Sequence, residues 1–309
     1  TKEPKNNQTF KKTDMKIYKI LLLAALALPL SVFSQEQVND TIVKEKPERP
    51  AFESSFLFDN PTNVLFSKNT LEIQMSHRFG ELNDDKNDLA GFYGSANIRI
   101  GLTYAIHDRL TVGFGTTKNK NYQDFNWKAA LLRQTRSDKI PVSVSYYGNF
   151  AIDARSKNQG LFVETSDRYS FFNQLIIARR FNPKLSLQVA PSVSHYNTVA
   201  TTMRNDMVAI AFGGRYKISS QTSVIADYSQ PLTKMKLDNP YPGISLGFEF
   251  GTSAHTFQLF ATNYWGILPQ DNYMFNKKAT GLEGTFGFGK QKKSGQYLIG
   301  FNITRNYNF

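Results

Sequence analysis

The chain has 309 residues, 37 Lys and Arg against 25 Asp and Glu, a formal charge of +12, and no cysteine. The absent thiols exclude a disulfide framework, a lipid-modified N-terminal Cys, a thiolate metal site and a Cys nucleophile. The excess positive charge is scattered, which argues against a nucleic-acid partner and suits anionic lipid headgroups or anionic solutes.

Six Lys against Glu3 and Asp14 put +4 of the charge into residues 1–34, leaving +8 for the rest. Thr1 to Asp14 is polar and is expected to be a non-native or mis-started leader ahead of an initiator at Met15. A basic stretch from Met15 to Lys19, an apolar run from Ile20 to Leu30 and the small Ser34 before Gln35 then read as a secretory signal peptide. Residues 35–68 carry several charges, Pro47, Pro50 and Pro61, and no alternation; they are expected to form a periplasmic N-terminal linker.

From residue 69 onward a period of two sets in and hardly stops. Leu71, Ile73, Met75, His77 and Phe79 alternate with Glu72, Gln74, Ser76 and Arg78; Ile98, Ile100, Leu102 and Tyr104 alternate with Asn97, Arg99, Gly101 and Thr103. Similar segments follow, among them Phe125 to Leu131, Tyr169 to Ile177, Leu185 to Val193, Val208 to Tyr216 and Ile244 to Phe250. The connections around His107, Arg136, Asn182, Ile218 and Gly251 are short, and those between them are longer and polar. The last thirteen residues set Tyr297, Ile299, Phe301, Ile303, Tyr307 and Phe309 on one face, with Gly300, Asn302, Thr304, Asn306 and Asn308 on the other. With 25 Phe and 15 Tyr available for interfacial girdles, residues 69–309 predict an all-β fold, a transmembrane antiparallel up-and-down β-barrel of about 12 strands in the cell outer membrane.

Four segments, Asn63 to Ile73, Ile98 to Tyr104, Gly247 to Leu259 and Ile299 to Arg305, resemble an outer-membrane β-barrel family of Bacteroidota that carries only a domain-of-unknown-function label. The turn running from Gly251 through His255 to Leu259 is the most distinctive piece, and the similarity covers Phe56 to Phe309. The resemblance implies location and fold and brings no catalytic assignment.

Ionisable groups in a spanning strand are tolerated where they meet water or one another. Glu72, Arg78, Arg99, Lys128, Arg180, Arg215, Asp227 and Glu249 fall on inward faces and are the candidate lumen or constriction residues; Arg215, Asp227 and Glu249 are expected to gather on three successive strands. Inward Arg outnumbers inward acid, so an open pore would weakly prefer anions. A network of ion pairs bracing or plugging the barrel is the competing reading of the same residues. On the outward side, Phe301, Ile303, Tyr307 and Phe309 are the candidate assembly signal for the barrel assembly machinery.

His107 and His255 fall in short turns, where the ring of His255 is expected to cap backbone groups. His77 and His195 face outward near strand ends, and Ser194 beside His195 should point inward, which separates any nucleophile from its base. Gly284 to Gly289 lacks the Lys-Ser/Thr pair and following helix of a phosphate loop, and reads as strand or loop glycine. No metal site, cofactor or catalytic residue is expected. The expected function is a porin-like small diffusion channel; a structural or docking barrel serving a surface or secretion complex is the alternative, and an outer-membrane lipid hydrolase a remote one. Expected partners are outer-membrane lipid, the assembly machinery, and small anionic solutes or a protein.

Overall fold

The computed structural model describes residues 45–82, 89, 91–237, 239–277 and 297–309. The leader and signal peptide, the first ten residues of the expected linker and the Gly284–Gly289 run lie outside the described residues. No helix among the described residues is long and apolar enough to cross a membrane.

Alternation of apolar and polar residues does what the period requires. Strands β3 (Thr70–Glu81), β4 (Asn97–His107), β5 (Leu110–Thr117), β6 (Gln123–Leu132), β7 (Ser143–Ile152) and β8 (Tyr169–Arg180) form the first half of one sheet. Strands β9 (Leu185–Tyr196), β10 (Asp206–Lys217), β11 (Thr222–Pro231), β12 (Gly243–Gly251), β13 (His255–Thr262) and β14 (Leu298–Asn308) form the second. Each pairs antiparallel with its neighbours in sequence, and β14 closes on β3 with Phe301 opposite His77 and Tyr307 opposite Leu71. The result is the expected closed twelve-strand barrel. Closure satisfies every strand edge, which a hydrocarbon environment demands.

Apolar residues such as Ile100, Leu102, Val112, Phe114, Phe212, Leu246 and Phe248 stand exposed on the outside, while Glu72, Arg78, Asn97 and Asn302 of the same sheet are buried inside. That is the inverse of a soluble barrel, and it fits lipid outside. The connections β4–β5, β6–β7, β8–β9, β10–β11 and β12–β13 share one end, the turn end. The opposite, loop end carries most of the longer ones, except that β5 and β6 are joined there by a tight turn at Asn119–Asn121, with Lys120 and Asn121 in the left-handed region. At the turn end, residues 133–142 make the β6–β7 connection longer than expected.

The expected linker is corrected over its described part, residues 45–68, which enter the barrel. At the turn end a strap crosses the β6–β7 connection: Glu48 N–H donates to Gln134 O at 2.7 Å, Arg136 N–H to Lys46 O at 3.1 Å, and Pro47 bridges to Thr135. The chain then climbs into the lumen as a hairpin of β1 (Phe56–Leu57) and β2 (Asn60–Pro61), a two-stranded sheet separate from the barrel sheet. Ser54, Ser55, Leu57, Phe58, Asp59, Asn60 and Thr62 are buried. The segment returns to the turn end, where Lys68 N–H donates to Asp108 Oδ1 at 2.8 Å and holds that carboxyl below the usual carboxylate range. Its lack of periodicity is consistent with this placement, because a strap and a two-residue hairpin meet lumen groups on all sides and present no regular face.

A second element fills the lumen from the loop end. Within the β13–β14 connection, α1 (Pro269–Phe275) starts with Pro at its first turn, and Pro269 through Met274 are all buried. Seven residues are too few for an autonomous helix, so packing must hold it. Tyr273 and Met274 belong to a buried cluster with Tyr147, Phe172, Ile176, Ala190, Met207, Ala209 and Ala211 from β7–β10.

Because Ile303 faces outward at the seam, opposite Met75 on β3 and Phe257 on β13, Ile303→Arg should lower folding free energy by about 2–4 kcal/mol if it lies near the bilayer midplane. Urea unfolding of the barrel in lipid vesicles, followed by its heat-modifiable mobility, checks this; Ile303→Val should be close to neutral.

Candidate functional site

The two inserted elements meet in the middle of the lumen and neutralise the wall. At the hairpin tip Asp59 forms a salt bridge with the fully buried Arg78. Asn60 donates to Asp227 Oδ2 at 2.6 Å and to Ser229 Oγ at 3.0 Å, and accepts a hydrogen bond from the Tyr273 hydroxyl of α1. Gln270 of α1 donates to Asn149 Oδ1 at 2.6 Å. Below the tip, Lys128 Nζ donates to the carbonyls of Ser55 and Val64 at 2.9 and 3.1 Å, and Ser55 Oγ donates to Glu72 Oε1 at 2.6 Å. Nearer the turn end Arg215 bridges Glu249 of the wall at 2.8 Å and Glu53 of the inserted segment at 2.9 Å.

A second wall pair involves no inserted residue. Arg99 meets Asp124 through two parallel bonds, Nε to Oδ1 at 2.9 Å and Nη2 to Oδ2 at 2.7 Å, the geometry that suits a guanidinium best. Gln74 accepts a third bond from Nη1 at 3.2 Å, and Asn149 donates to Asp124 Oδ2 at 3.1 Å. A void bounded by Phe58, Asp59, Arg99, Tyr147 and Leu268 measures about 10 Å³, room for about one water at most. At this level the lumen is filled.

Charge is unevenly placed around the wall. The inward faces of β7, β8 and β9 carry Tyr147, Ala151, Phe172, Ile176, Ala178 and Ala190 with Ser, Asn and Gln between them, and no charged residue until Arg180 at the turn end. At the loop end the lumen opens into a cavity of about 630 Å³ lined by Tyr93, Trp265, Phe275, Lys120, Asp271 and Asn276, among others. Asp271 at its floor accepts from Lys120 Nζ at 2.6 Å, Asn119 Nδ2 at 3.1 Å and the Tyr122 hydroxyl at 3.2 Å.

The structure thus points Glu72, Arg78, Arg99, Lys128, Arg215, Asp227 and Glu249 into the barrel, and sets Arg180 at the turn-end mouth, 3.6 Å from Glu48. The expected grouping of Arg215, Asp227 and Glu249 separates: Arg215 and Glu249 pair, whereas strand register sets Asp227 opposite Gly213 and Ser245, where it binds Asn60 instead. Sequence reasoning missed Asp124, although its parity with Asn126 and Lys128 marks it as inward. It also missed Glu53 and Asp59, which no periodicity marks.

Ser194 points inward and is buried, while His195 lies on the outer face with Nδ1 2.7 Å from Asp206 Oδ1. A histidine and a serine on opposite sides of a wall do not form a nucleophile and base. His77 stacks on Phe301 with centroids 5.0 Å apart, in the aromatic surface at the seam. The expected capping by the His255 ring falls instead to His107, whose Nδ1 accepts from Arg109 N–H at 3.1 Å. The His255 ring stacks on Phe257. Among the described residues no three His, Asp or Glu are grouped as metal ligands.

A Cβ built on Gly115 would sit 2.2 Å from Arg99 Nη2 and 2.6 Å from Asp124 Oδ1. Gly115→Val should therefore break the bidentate pair and cost about 3–5 kcal/mol of stability by leaving buried charges unmatched. Gly251→Ala, with its nearest contact at 3.8 Å, should cost far less; denaturant midpoints of the two variants decide it.

Comparison with solved structures aligns the chain with outer-membrane porins and channels. A NanC porin aligns with a TM-score of 0.48 and 6% identity over 76% of this chain and 98% of that one. A KdgM porin gives 0.44 and 6% over 77% and 99%. An outer-membrane channel from Pseudomonas putida F1 gives 0.45 and 10% over 79% and 97%. No curated protein matches the chain. A family model described as a membrane-bound β-barrel domain matches residues 52–307, a span that takes in the lumen hairpin together with all twelve barrel strands. With a lipid-facing exterior and closed edges to match, the chain belongs to that family, the membrane-bound β-barrel domains known as DUF5777.

Proposed function

We propose that this outer-membrane barrel is a small-solute diffusion channel that is closed at rest by its own residues 51–64. The observation that carries this reading is the separation of the β1–β2 hairpin from the barrel sheet. Strands are held by continuous backbone ladders, whereas the hairpin is held in the lumen by side chains, so it can withdraw toward the turn end with the barrel intact. In this reading the turn end faces the periplasm and the cavity at the loop end is the outer mouth.

Withdrawal changes the charge that a solute meets. Arg99 keeps Asp124 and Arg215 keeps Glu249, but Arg78 loses the carboxylate of Asp59. Lys128 loses two carbonyl acceptors. The opened lumen therefore gains positive field, and supports a weak preference for anions. The outward aromatic face of β14, with Phe301, Ile303, Tyr307 and Phe309, is in this reading what the assembly machinery engages, and membrane lipid surrounds the rest.

The filled midsection also favours a second reading, a braced scaffold that docks a partner through its loops. Conductance in a planar bilayer separates the two. The parent chain should be mostly silent, and Glu53→Ala combined with Asp59→Ala should give frequent unit steps with an anion-directed reversal potential under a salt gradient. A folded double variant that conducts nothing at any voltage would leave the scaffold. A complementary prediction uses the absence of native cysteine: Cys at Asn60 and Ser229, whose side chains touch at 3.0 Å, should lock the channel shut when oxidised and release it when reduced.

A further inference from the structure

The hairpin tip fits the barrel wall the way a ligand fits a pocket. Phe58 lays its ring against Phe260 with centroids 4.6 Å apart, and the next residue, Asp59, bonds Arg78. Arg78 Cζ lies 4.6 Å over the same Phe260 ring, so one aromatic ring meets both Phe58 of the tip and the guanidinium that binds Asp59. Gly300 makes room for this contact: a Cβ there would come within 2.9 Å of both Arg78 Cδ and Phe260 Cε2. Polar groups frame the site, with Asn302 donating to Phe58 O at 2.8 Å and Gln258 accepting from Phe58 N–H at 3.2 Å.

The fit is imperfect in two respects. Arg78 Nε is buried and has no hydrogen-bond partner, although a guanidinium can take a carboxylate through two parallel bonds, as Arg99 does with Asp124. Phe58 adopts φ 57°, in the left-handed region that a bulky residue occupies only under strain. A free molecule carrying the same two groups would satisfy Arg78 Nε without the backbone strain.

We propose that the wall site formed by Arg78, Phe260, Asn302 and Gln258 binds small carboxylates that carry an aromatic ring, and that the Phe58–Asp59 tip occupies it as an internal mimic. The proposal rests on the gated-channel reading for its consequence: a ligand that takes the site displaces the tip and shifts the barrel toward the open state. A ligand acts in this way because it binds the open state only. The ring is needed as well as the carboxylate, since withdrawing Phe58 uncovers Phe260, and an apolar group must cover it again.

Calorimetric titration of the folded full-length protein with phenylacetate, against acetate and 2-phenylethanol, tests the site without relying on conduction. Phenylacetate should bind at least tenfold tighter than either control, and Asp59→Asn and Phe58→Ala, which change only the tip, should each tighten it severalfold. Arg78→Gln should abolish the difference between phenylacetate and 2-phenylethanol. Equal binding of the three compounds to Asp59→Asn, or a phenylacetate affinity unchanged by both tip variants, would overturn the proposal. Tight binding by a barrel that never conducts would overturn only the channel, and a conducting tip variant that ignores phenylacetate would overturn only the ligand site.

Discussion

A charge inside a closed barrel needs water, a counter-charge or hydrogen-bonding groups, and in its described middle this lumen meets its charges with the last two. Arg78 is the sharpest case: it is fully buried, and its anion comes from a segment that is not part of the wall. Removing one partner of a buried pair leaves a cost of several kcal/mol, so the barrel holds its hairpin and the hairpin holds its place through the same contacts. Arg215 repeats the pattern with Glu53, while Lys128 and Asp227 are met by neutral groups of the same segment, the carbonyls of Ser55 and Val64 and the amide of Asn60. The wall and the inserted segment are parts of one electrostatic unit.

Hairpin and helix enter from opposite ends and divide the work. The hairpin brings Asp59, Glu53 and backbone carbonyls to the charged side of the wall. The helix brings Tyr273 and Met274 to the uncharged side, where alanines on β9 and β10 leave room for it. Asn60 joins the two, bonded at once to Asp227, Ser229 and Tyr273. A short helix with little propensity of its own and a two-residue hairpin are both weak elements alone; each is ordered by surfaces that the barrel supplies. That arrangement allows the filling to be less stable than the wall, which is the condition for local opening without loss of the fold.

The barrel was legible in the chain because a membrane wall imposes a single rule at every position. Leu71 through Glu81 or Ile98 through Ile106 cannot be read another way once both the outward apolar and inward polar residues are noted, and strand number and closure follow from repetition. The inward charges were legible for the same reason, and Asp124 needed only the same parity carried back along β6 from Lys128. The filling was not legible. Residues 51–64 face Glu72, Lys128, Arg78, Gln258 and Asn302 in turn, so their polar groups answer partners far away in sequence and follow no period. Charges and three prolines suggested an extended linker, yet Pro61 lies in β2 and Asp59 is among the most important acids in the lumen. The pairing of Arg215 with Glu249 and its separation from Asp227 depended likewise on register, which alternation leaves undetermined.

The hairpin is anchored at both ends, by the strap at Lys46–Glu48 and by the start of β3 near Lys68. An anchored tip stands near its site at an effective concentration in the millimolar range, set by tether length and independent of how much protein the cell makes. Anything that displaces it competes against that fixed local supply. Competition with the tip would therefore raise the half-saturating level of such a molecule by a constant factor, the same in a cell that makes little of the protein as in one that makes much.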